Sequence, residues 1–128
     1  MKTIIRIEHV PPSSNNIYAN VPGKGRVASS RLKTWRIAAG WDLQRAKPHK
    51  WTVPVYLTIA IGKLPANSDL SNRVKAIEDL LVTHQIIPGD TIKWVRGINC
   101  YLAQVPFKGV EIAITAADPL VTAVENAA

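Results

Sequence analysis

Four acidic residues lie close together in a chain that is otherwise basic. Asp69, Glu78, Asp79 and Asp90 are four of the nine Asp and Glu residues, whereas 16 Lys and Arg give the 128-residue chain a formal net charge of +7. Lys75 lies among these acids. Carboxylate oxygens are the ligands that Mg²⁺ prefers, and an ammonium group stabilises negative charge on a phosphate. This combination predicts a divalent-metal site acting on a phosphodiester.

The apolar residues around this acidic stretch predict the element that carries it. Leu70, Val74, Ile77 and Leu81 follow one another at spacings of four, three and four residues, which is the period of an α-helix with one buried stripe. Residues 67–69 are Asn, Ser and Asp, and each of these types caps helix N-termini well. We therefore predict a helix that begins near residue 70 and ends near residues 84–87.

The polar side of the predicted helix carries the reactive side chains. At 100° per residue, Ser71, Lys75 and Glu78 share one stripe, and Asn72 and Asp79 continue it as supporting residues. The simpler alternative is an ordinary solvated helix face, on which acids and a lysine pair at spacings of three and four. Two further acids have equally simple explanations, since Asp69 suits a helix cap and Asp90 suits the turn at residues 88–90.

The whole chain is long enough for one domain with its own core. Strands are predicted at residues 4–10, 53–63, 91–102 and 109–115, and a first helix at residues 29–47. The order β-α-β-α-β-β with a final hairpin indicates an α+β fold, an α/β sandwich in which one mixed sheet carries both helices on one face. Residues 11–30 are predicted to be a basic loop, and residues from about 117 to 128 are a candidate flexible tail.

The cysteine content and the lengths of the apolar stretches indicate the cellular compartment of the protein. Cys100 is the only cysteine, so the chain has no internal disulfide, and no Cys/His spacing matches a zinc site. The longest apolar stretch, residues 53–61, is far shorter than the roughly 20 residues that cross a bilayer. We expect a cytoplasmic protein without a membrane partner.

Two segments resemble the RusA family of Holliday-junction resolvases, which are small endonucleases of bacteria and their phages. Residues 69–80, Asp-Leu-Ser-Asn-Arg-Val-Lys-Ala-Ile-Glu-Asp-Leu, resemble the family signature Asp-x-Asp-Asn-x-x-Lys-x-x-x-Asp-x-Leu, and residues 87–90 fall where an Asp-Asp pair normally follows. Residues 11–18, Pro-Pro-Ser-Ser-Asn-Asn-Ile-Tyr, resemble the early Pro-Pro-Ser-x-Asn-x-x-Tyr motif. Gly25-Arg26 and Ser29 resemble the Arg-x-x-Ser run that comes after it.

This resemblance implies an activity and a site. The activity is Mg²⁺-dependent, paired and symmetric nicking of four-way DNA junctions by a homodimer, in DNA recombination and repair, with Mn²⁺ as another usable ion. The catalytic residues it implies are Asp69, Lys75 and Asp90. To these we add Glu78, so that the expected metal ligands are Asp69, Glu78 and Asp90.

Two positions depart from the family pattern. Ser71 stands where the second aspartate of the signature is usual, and Gly89 stands where the first acid of the later pair is usual. Glu78 lies two helical turns beyond Ser71, so its longer side chain is our candidate replacement ligand. The alternative is a catalytically inactive protein that still binds junction DNA. A third possibility is a metal-dependent nuclease for flaps or replication forks.

The basic half of the chain is the expected DNA-binding surface. Residues 1–63 contain eleven Lys and Arg but only two Asp and Glu, so this half attracts phosphates and makes binding salt-dependent. Ile37 and Trp41, off the buried stripe of the first helix, are candidates for the dimer interface, and strand pairing between subunits would serve as well. The expected DNA-binding residues are Asn16, Lys24, Arg26, Arg31, Lys33 and Arg36.

Overall fold

The computed structural model describes residues 1–13 and 18–117, except for the side chains of residues 18–20 and 26–28. Asn16, the side chain of Arg26 and nearly all of the predicted tail therefore lie outside the described residues. The strands are β1 (Lys2–Ile7), β2 (Tyr18–Val21), β3 (Gly25–Ala28), β4 (Val55–Ile61), β5 (Val95–Leu102) and β6 (Val110–Ala116). The helices are α1 (Ser30–Ala46) and α2 (Val74–Thr83), and a 3₁₀ turn (Leu70–Arg73) leads into α2.

The fold is α+β, with one mixed four-stranded sheet and two helices. The strand order is β1-β6-β4-β5, in which β4 and β5 are parallel and the other pairs are antiparallel. The predicted final hairpin is therefore wrong, because β5 and β6 are not neighbours. The crossover through α2 places β5 beside β4 as a parallel edge strand, and β6 enters the sheet centre, where Val110, Ile112 and Ile114 are completely buried.

Alternate residues of the strands form one side of the core. Ile112 of β6 lies opposite Ile5 on one side and Ile59 on the other, so these three side chains point to the same face. All three are fully buried in a single hydrophobic cluster to which both helices contribute. The strand predicted at residues 53–63 is confirmed as β4, and the buried face of the sheet packs against the apolar stripes of α1 and α2.

The first helix agrees closely with its prediction. Ser29 is the N-cap, since its hydroxyl accepts the N–H of Leu32 at 3.2 Å, and Lys47 is the C-cap. Helix α1 buries a stripe of Leu32, Trp35, Ala39 and Leu43, which follow one another at helical spacing.

The predicted loop at residues 11–30 is wrong for its second half, where β2 and β3 form a separate two-stranded ribbon. The chain reverses through Gly23 and Gly25, whose φ angles of 79° and 73° suit glycine, and Lys24 N–H donates to the carbonyl of Val21 at 3.0 Å. The hydrogen bonds between β2 and β3 satisfy backbone groups and need no alternating apolar pattern. The sequence pattern therefore did not reveal this ribbon. Residues 14–17 are outside the described part.

The start of the second helix also differs from its prediction. The segment forms one 3₁₀ turn before the α-helix begins at Val74, so the α-helical stripe starts four residues later than expected. Ile77 and Leu81 are buried as predicted, whereas Leu70 and Val74 are partly buried against the core. None of the helices in the described residues is long and apolar enough to cross a membrane.

Candidate active site

A lysine and two aspartates form the centre of the candidate site. The Lys75 ammonium, in the first turn of α2, lies 2.6 Å from Oδ2 of Asp90 and 3.1 Å from Oδ1 of Asp79. Asp79 lies one helical turn after Lys75, so the helix itself brings these two together. Asp90 comes from the segment after the helix, and only tertiary structure brings it to Lys75.

The contact changes the proton affinities of both partners. The hydrogen bond and charge of Lys75 lower the pKa of the Asp90 carboxyl below its usual range. Asp90 and Asp79 in turn raise the pKa of the Lys75 ammonium, so this side chain stays charged at neutral pH. The Lys75 side chain is 57% exposed and that of Asp90 34% exposed, so water screens the attraction and leaves both groups accessible to a ligand.

Glu78 lies beside this group on α2 and is partly buried. Burial raises the pKa of the Glu78 carboxyl, the charge of Lys75 opposes that rise, and the charges of Asp90 and Asp79 add to it. The charges of Lys75, Asp90 and Asp79 therefore all act on the Glu78 carboxyl. A cation that bound here would relieve the repulsion among the three carboxylates.

Asp69 is held at the start of the 3₁₀ turn. Its Oδ1 atom accepts hydrogen bonds from the Ser71 hydroxyl at 2.9 Å and from the Ser71 N–H at 3.3 Å. The backbone N–H of Asn72 donates to the Asp69 carbonyl at 3.3 Å. The capping role considered for Asp69 is therefore present, and Ser71 pairs with Asp69.

The structure thus joins most, but not all, of the predicted site residues. Lys75 pairs with Asp79 and Asp90, and the charges of these three act on Glu78, while Asp69 and Ser71 pair at the preceding turn. Within residues 1–13 and 18–117, no group of three or more His, Cys, Asp or Glu side chains is arranged as a ready-made metal site.

A tryptophan ring occupies the space next to Gly89. A Cβ atom at position 89 would lie 2.9 Å from Cδ1 of Trp94, closer than real Cβ contacts allow. The backbone N–H of Trp94 donates to the Thr91 carbonyl at 2.9 Å, just before β5. A side chain at position 89 would therefore require the Trp94 indole to shift.

The basic residues predicted to bind DNA fall on exposed surfaces wherever they are described. Lys24 lies in the turn between β2 and β3, and the other three lie on α1. Ile37 and Trp41, on the same helix, are 65% and 58% exposed. The predicted DNA-binding residues on α1 are Arg31, Lys33 and Arg36, and all three are exposed.

Arg73 is a further residue of interest that the sequence analysis did not assign to the site. It ends the 3₁₀ turn two residues before Lys75, and its Nη1 donates to the Pro11 carbonyl at 2.6 Å. This bond ties the start of α2 to the segment after β1. The sequence offered only the charge of Arg73 and its place within residues 69–80, and neither of these predicted its contact with Pro11.

Comparisons with known proteins add no family assignment. No protein-family model matches the sequence, and no curated protein matches it.

Proposed function

We propose that this protein is a Mg²⁺-dependent endonuclease that resolves four-way DNA junctions by paired symmetric nicking, as the resemblance to the RusA family implies. The observation that carries the proposal is the Lys75 ammonium between the carboxylates of Asp79 and Asp90, with Glu78 beside them. An exposed lysine next to several carboxylates on a +7 chain is a combination that suits a cation and a phosphate together.

The donor chemistry of the site fits magnesium. Mg²⁺ takes hard oxygen ligands, keeps several waters, and needs only one or two carboxylates from a protein. The charges of Asp90 and Asp79 add to the rise in the pKa of the Glu78 carboxyl, and Asp90 already pairs with a cation, the Lys75 ammonium. Asp69, Glu78 and Asp90 are the residues that would hold the ion, and for this Asp69 would have to approach the other two, because the described residues contain no ready-made group of three acids. The ion would supply an activated water and neutralise charge on the phosphate.

The protein's own residues have separate tasks in this proposal. Lys75, kept protonated by its two aspartate partners, donates to a non-bridging phosphate oxygen and stabilises the charge that builds up there. Asp79 holds the lysine from one helical turn away and so orients its ammonium. Asn72 supports the preceding turn, which positions Asp69.

Substrate binding and assembly follow from surface charge and symmetry. Lys24 and three exposed residues of α1 would contact DNA phosphates without reading the base sequence. The three residues of α1 are Arg31, Lys33 and Arg36. Paired nicks require two equal sites, which a two-fold homodimer provides. The exposed Ile37 and Trp41 on α1 are our candidates for the subunit interface.

The test is cleavage of a labelled four-way junction in Mg²⁺. We expect symmetric paired nicks with the unchanged protein, and their loss in Asp69→Asn, Asp90→Asn and Lys75→Met. Glu111→Gln is the matched control, because Glu111 lies on β6 in an exposed pair with Arg6, at 2.7 Å. Equal cleavage by Asp90→Asn and Glu111→Gln would contradict the proposal, and linear duplex should stay intact.

The second candidate is a junction-binding protein without cleavage. Two observations favour it: the Ser71 hydroxyl donates to Asp69 where the family signature has a carboxylate, and Gly89 has no side chain. Tight junction binding without nicks in either Mg²⁺ or Mn²⁺ would support this reading. A panel of flaps and replication forks would reveal a different branched substrate.

A further inference from the structure

A cleft of about 540 Å³ lies between α1, the segment after β1 and Arg73. Trp35 lines it, and this residue is buried and its indole N–H donates to the His9 carbonyl at 2.9 Å. Arg31 and Arg73 also line it. The lining residues are His9, Val10, Pro11, Pro12, Ser30, Arg31, Thr34, Trp35, Ala38 and Arg73.

Arg73 brings an unbalanced charge to this cleft. Burial lowers the pKa of its guanidinium, and its Nε atom is shielded from solvent with no hydrogen-bond partner in the described part of the chain. Its protein partner is the neutral carbonyl of Pro11, and no carboxylate among the described residues lies within ion-pair distance. A shielded guanidinium N–H without an acceptor has a desolvation cost, and a bound anion would supply the acceptor.

The rest of the lining carries no negative charge. Arg31 is exposed in the first turn of α1, Ser30 and Thr34 add hydroxyl donors, and none of the lining residues is an Asp or Glu. The acid near His9 is Asp42, at 3.9 Å, and it is buried and already bound by Arg45 and by the N–H of Glu8. Its charge is therefore not available to balance Arg73.

We infer that this cleft binds a phosphate group of a nucleic-acid backbone, held by Arg73 and Arg31. The inference rests on the proposed function for the identity of the polymer. Arg73 ends the 3₁₀ turn that leads into α2, the helix that carries Lys75, so the cleft and the candidate site belong to neighbouring parts of the fold. Paired guanidinium groups suit phosphate oxygens, and such a contact sets the position of the strand without reading its bases.

The first test uses inorganic phosphate as the probe and the Trp35 indole N–H as the reporter in two-dimensional NMR. We expect its signal to shift on titration in the unchanged protein and in Arg96→Gln, and to stay in place in Arg73→Gln. Arg96 is the matched control because it is an exposed arginine on β5, outside the cleft. An equal shift in Arg73→Gln, or none in the unchanged protein, would overturn the inference.

The second test measures binding of a four-way junction in EDTA at several salt concentrations. Removing one phosphate contact should weaken binding about tenfold and reduce the slope of log affinity against log salt by about 0.9. We expect these changes for Arg73→Gln and for Arg31→Gln, and not for Arg96→Gln. Arg31→Gln keeps the test valid if Arg73→Gln fails to fold, since Arg31 is exposed.

The two proposals fail in different ways. If junctions are nicked but both cleft variants bind like Arg96→Gln, the cleft inference is wrong and the endonuclease stands. If phosphate moves the Trp35 signal in an Arg73-dependent manner while junctions are neither bound nor nicked, the cleft remains a phosphate site and the endonuclease proposal is wrong.

Discussion

The ammonium of Lys75 lies 2.6 Å from Oδ2 of Asp90, a residue 15 positions further along the chain. This bond links the first turn of α2 to the segment that follows the helix. It also places the lysine between that segment and Asp79, at 3.1 Å. The candidate site therefore depends on the path of the chain between the end of α2 and Asp90.

Removing the Lys75 ammonium should raise the pKa of Asp90. In Lys75→Met we expect the pKa of the Asp90 carboxyl to rise, because the lysine hydrogen bond is the main cause of its lowered pKa. Carboxyl-carbon NMR measures this directly. Lys2→Met, on β1, is the control that should leave Asp90 unchanged. In the unchanged protein the stabilisation from Asp90 is present above pH 3.8 and is lost as pH falls through its lowered pKa.

Glu78 should affect stability in the opposite direction. Burial raises the pKa of Glu78 above its ordinary pKa of 4.5. Its contribution to the free energy of unfolding is therefore fully present below pH 4.5 and is lost as pH rises through the raised pKa. We therefore expect Glu78→Gln to match the unchanged protein at low pH and to exceed its free energy of unfolding at neutral pH. Urea denaturation at a series of pH values tests this, with Glu111→Gln as the control. A constant difference at all pH values would contradict the expectation.

Introducing Asp at position 71 should make stability depend on magnesium. The Ser71 hydroxyl donates to Asp69, whereas Ser71→Asp would set two carboxylates side by side. We expect its melting temperature to fall without metal and to recover in Mg²⁺, while Ser71→Ala shows no such recovery. Cleavage gained by Ser71→Asp indicates that the natural site was disabled. Little change or a loss indicates that Glu78 already serves as the ligand.

Adding a methyl group at Gly89 should disturb the fold beside Asp90. The Cβ of Gly89→Ala would meet Cδ1 of Trp94 at 2.9 Å, so we expect a loss of about 1–3 kcal/mol in the free energy of unfolding. Trp94→Leu should remove most of this additional cost when the two changes are combined. A double-mutant cycle by denaturant unfolding measures the coupling, and purely additive effects would show that the indole is not the cause.

Asp42 should matter more for stability than an exposed acid with the same kind of partner. It is 5% exposed and accepts both the Glu8 N–H at 2.9 Å and the Arg45 guanidinium. Asp42→Ala leaves that N–H without its partner, so we expect a loss of about 1–3 kcal/mol. Glu111→Ala, which breaks an exposed pair with Arg6, should cost about 0–1 kcal/mol. Similar losses in the two variants would contradict this explanation.

Much of the fold could be predicted because local patterns dominate it. The Ser29 cap and the buried stripe of α1 follow from residue types and helical spacing, and the alternation in β4 follows from the pleat of a strand. The partners of β5 and β6 could not be predicted, since pairing depends on which faces the whole chain buries. The β2–β3 ribbon was missed because backbone hydrogen bonds and two glycines form it, with little help from an apolar pattern.

The sequence by itself determined the chemical groups of the candidate site and one of its contacts. Residue type and one helical turn were enough to place Lys75 beside Asp79, because a helix brings residues four apart together. Tertiary structure decided that Asp90 reaches Lys75, that Trp94 fills the space beside Gly89 and that Arg73 meets Pro11. These contacts join residues separated by turns and strands, so their geometry depends on packing of the complete core, which local spacing does not encode.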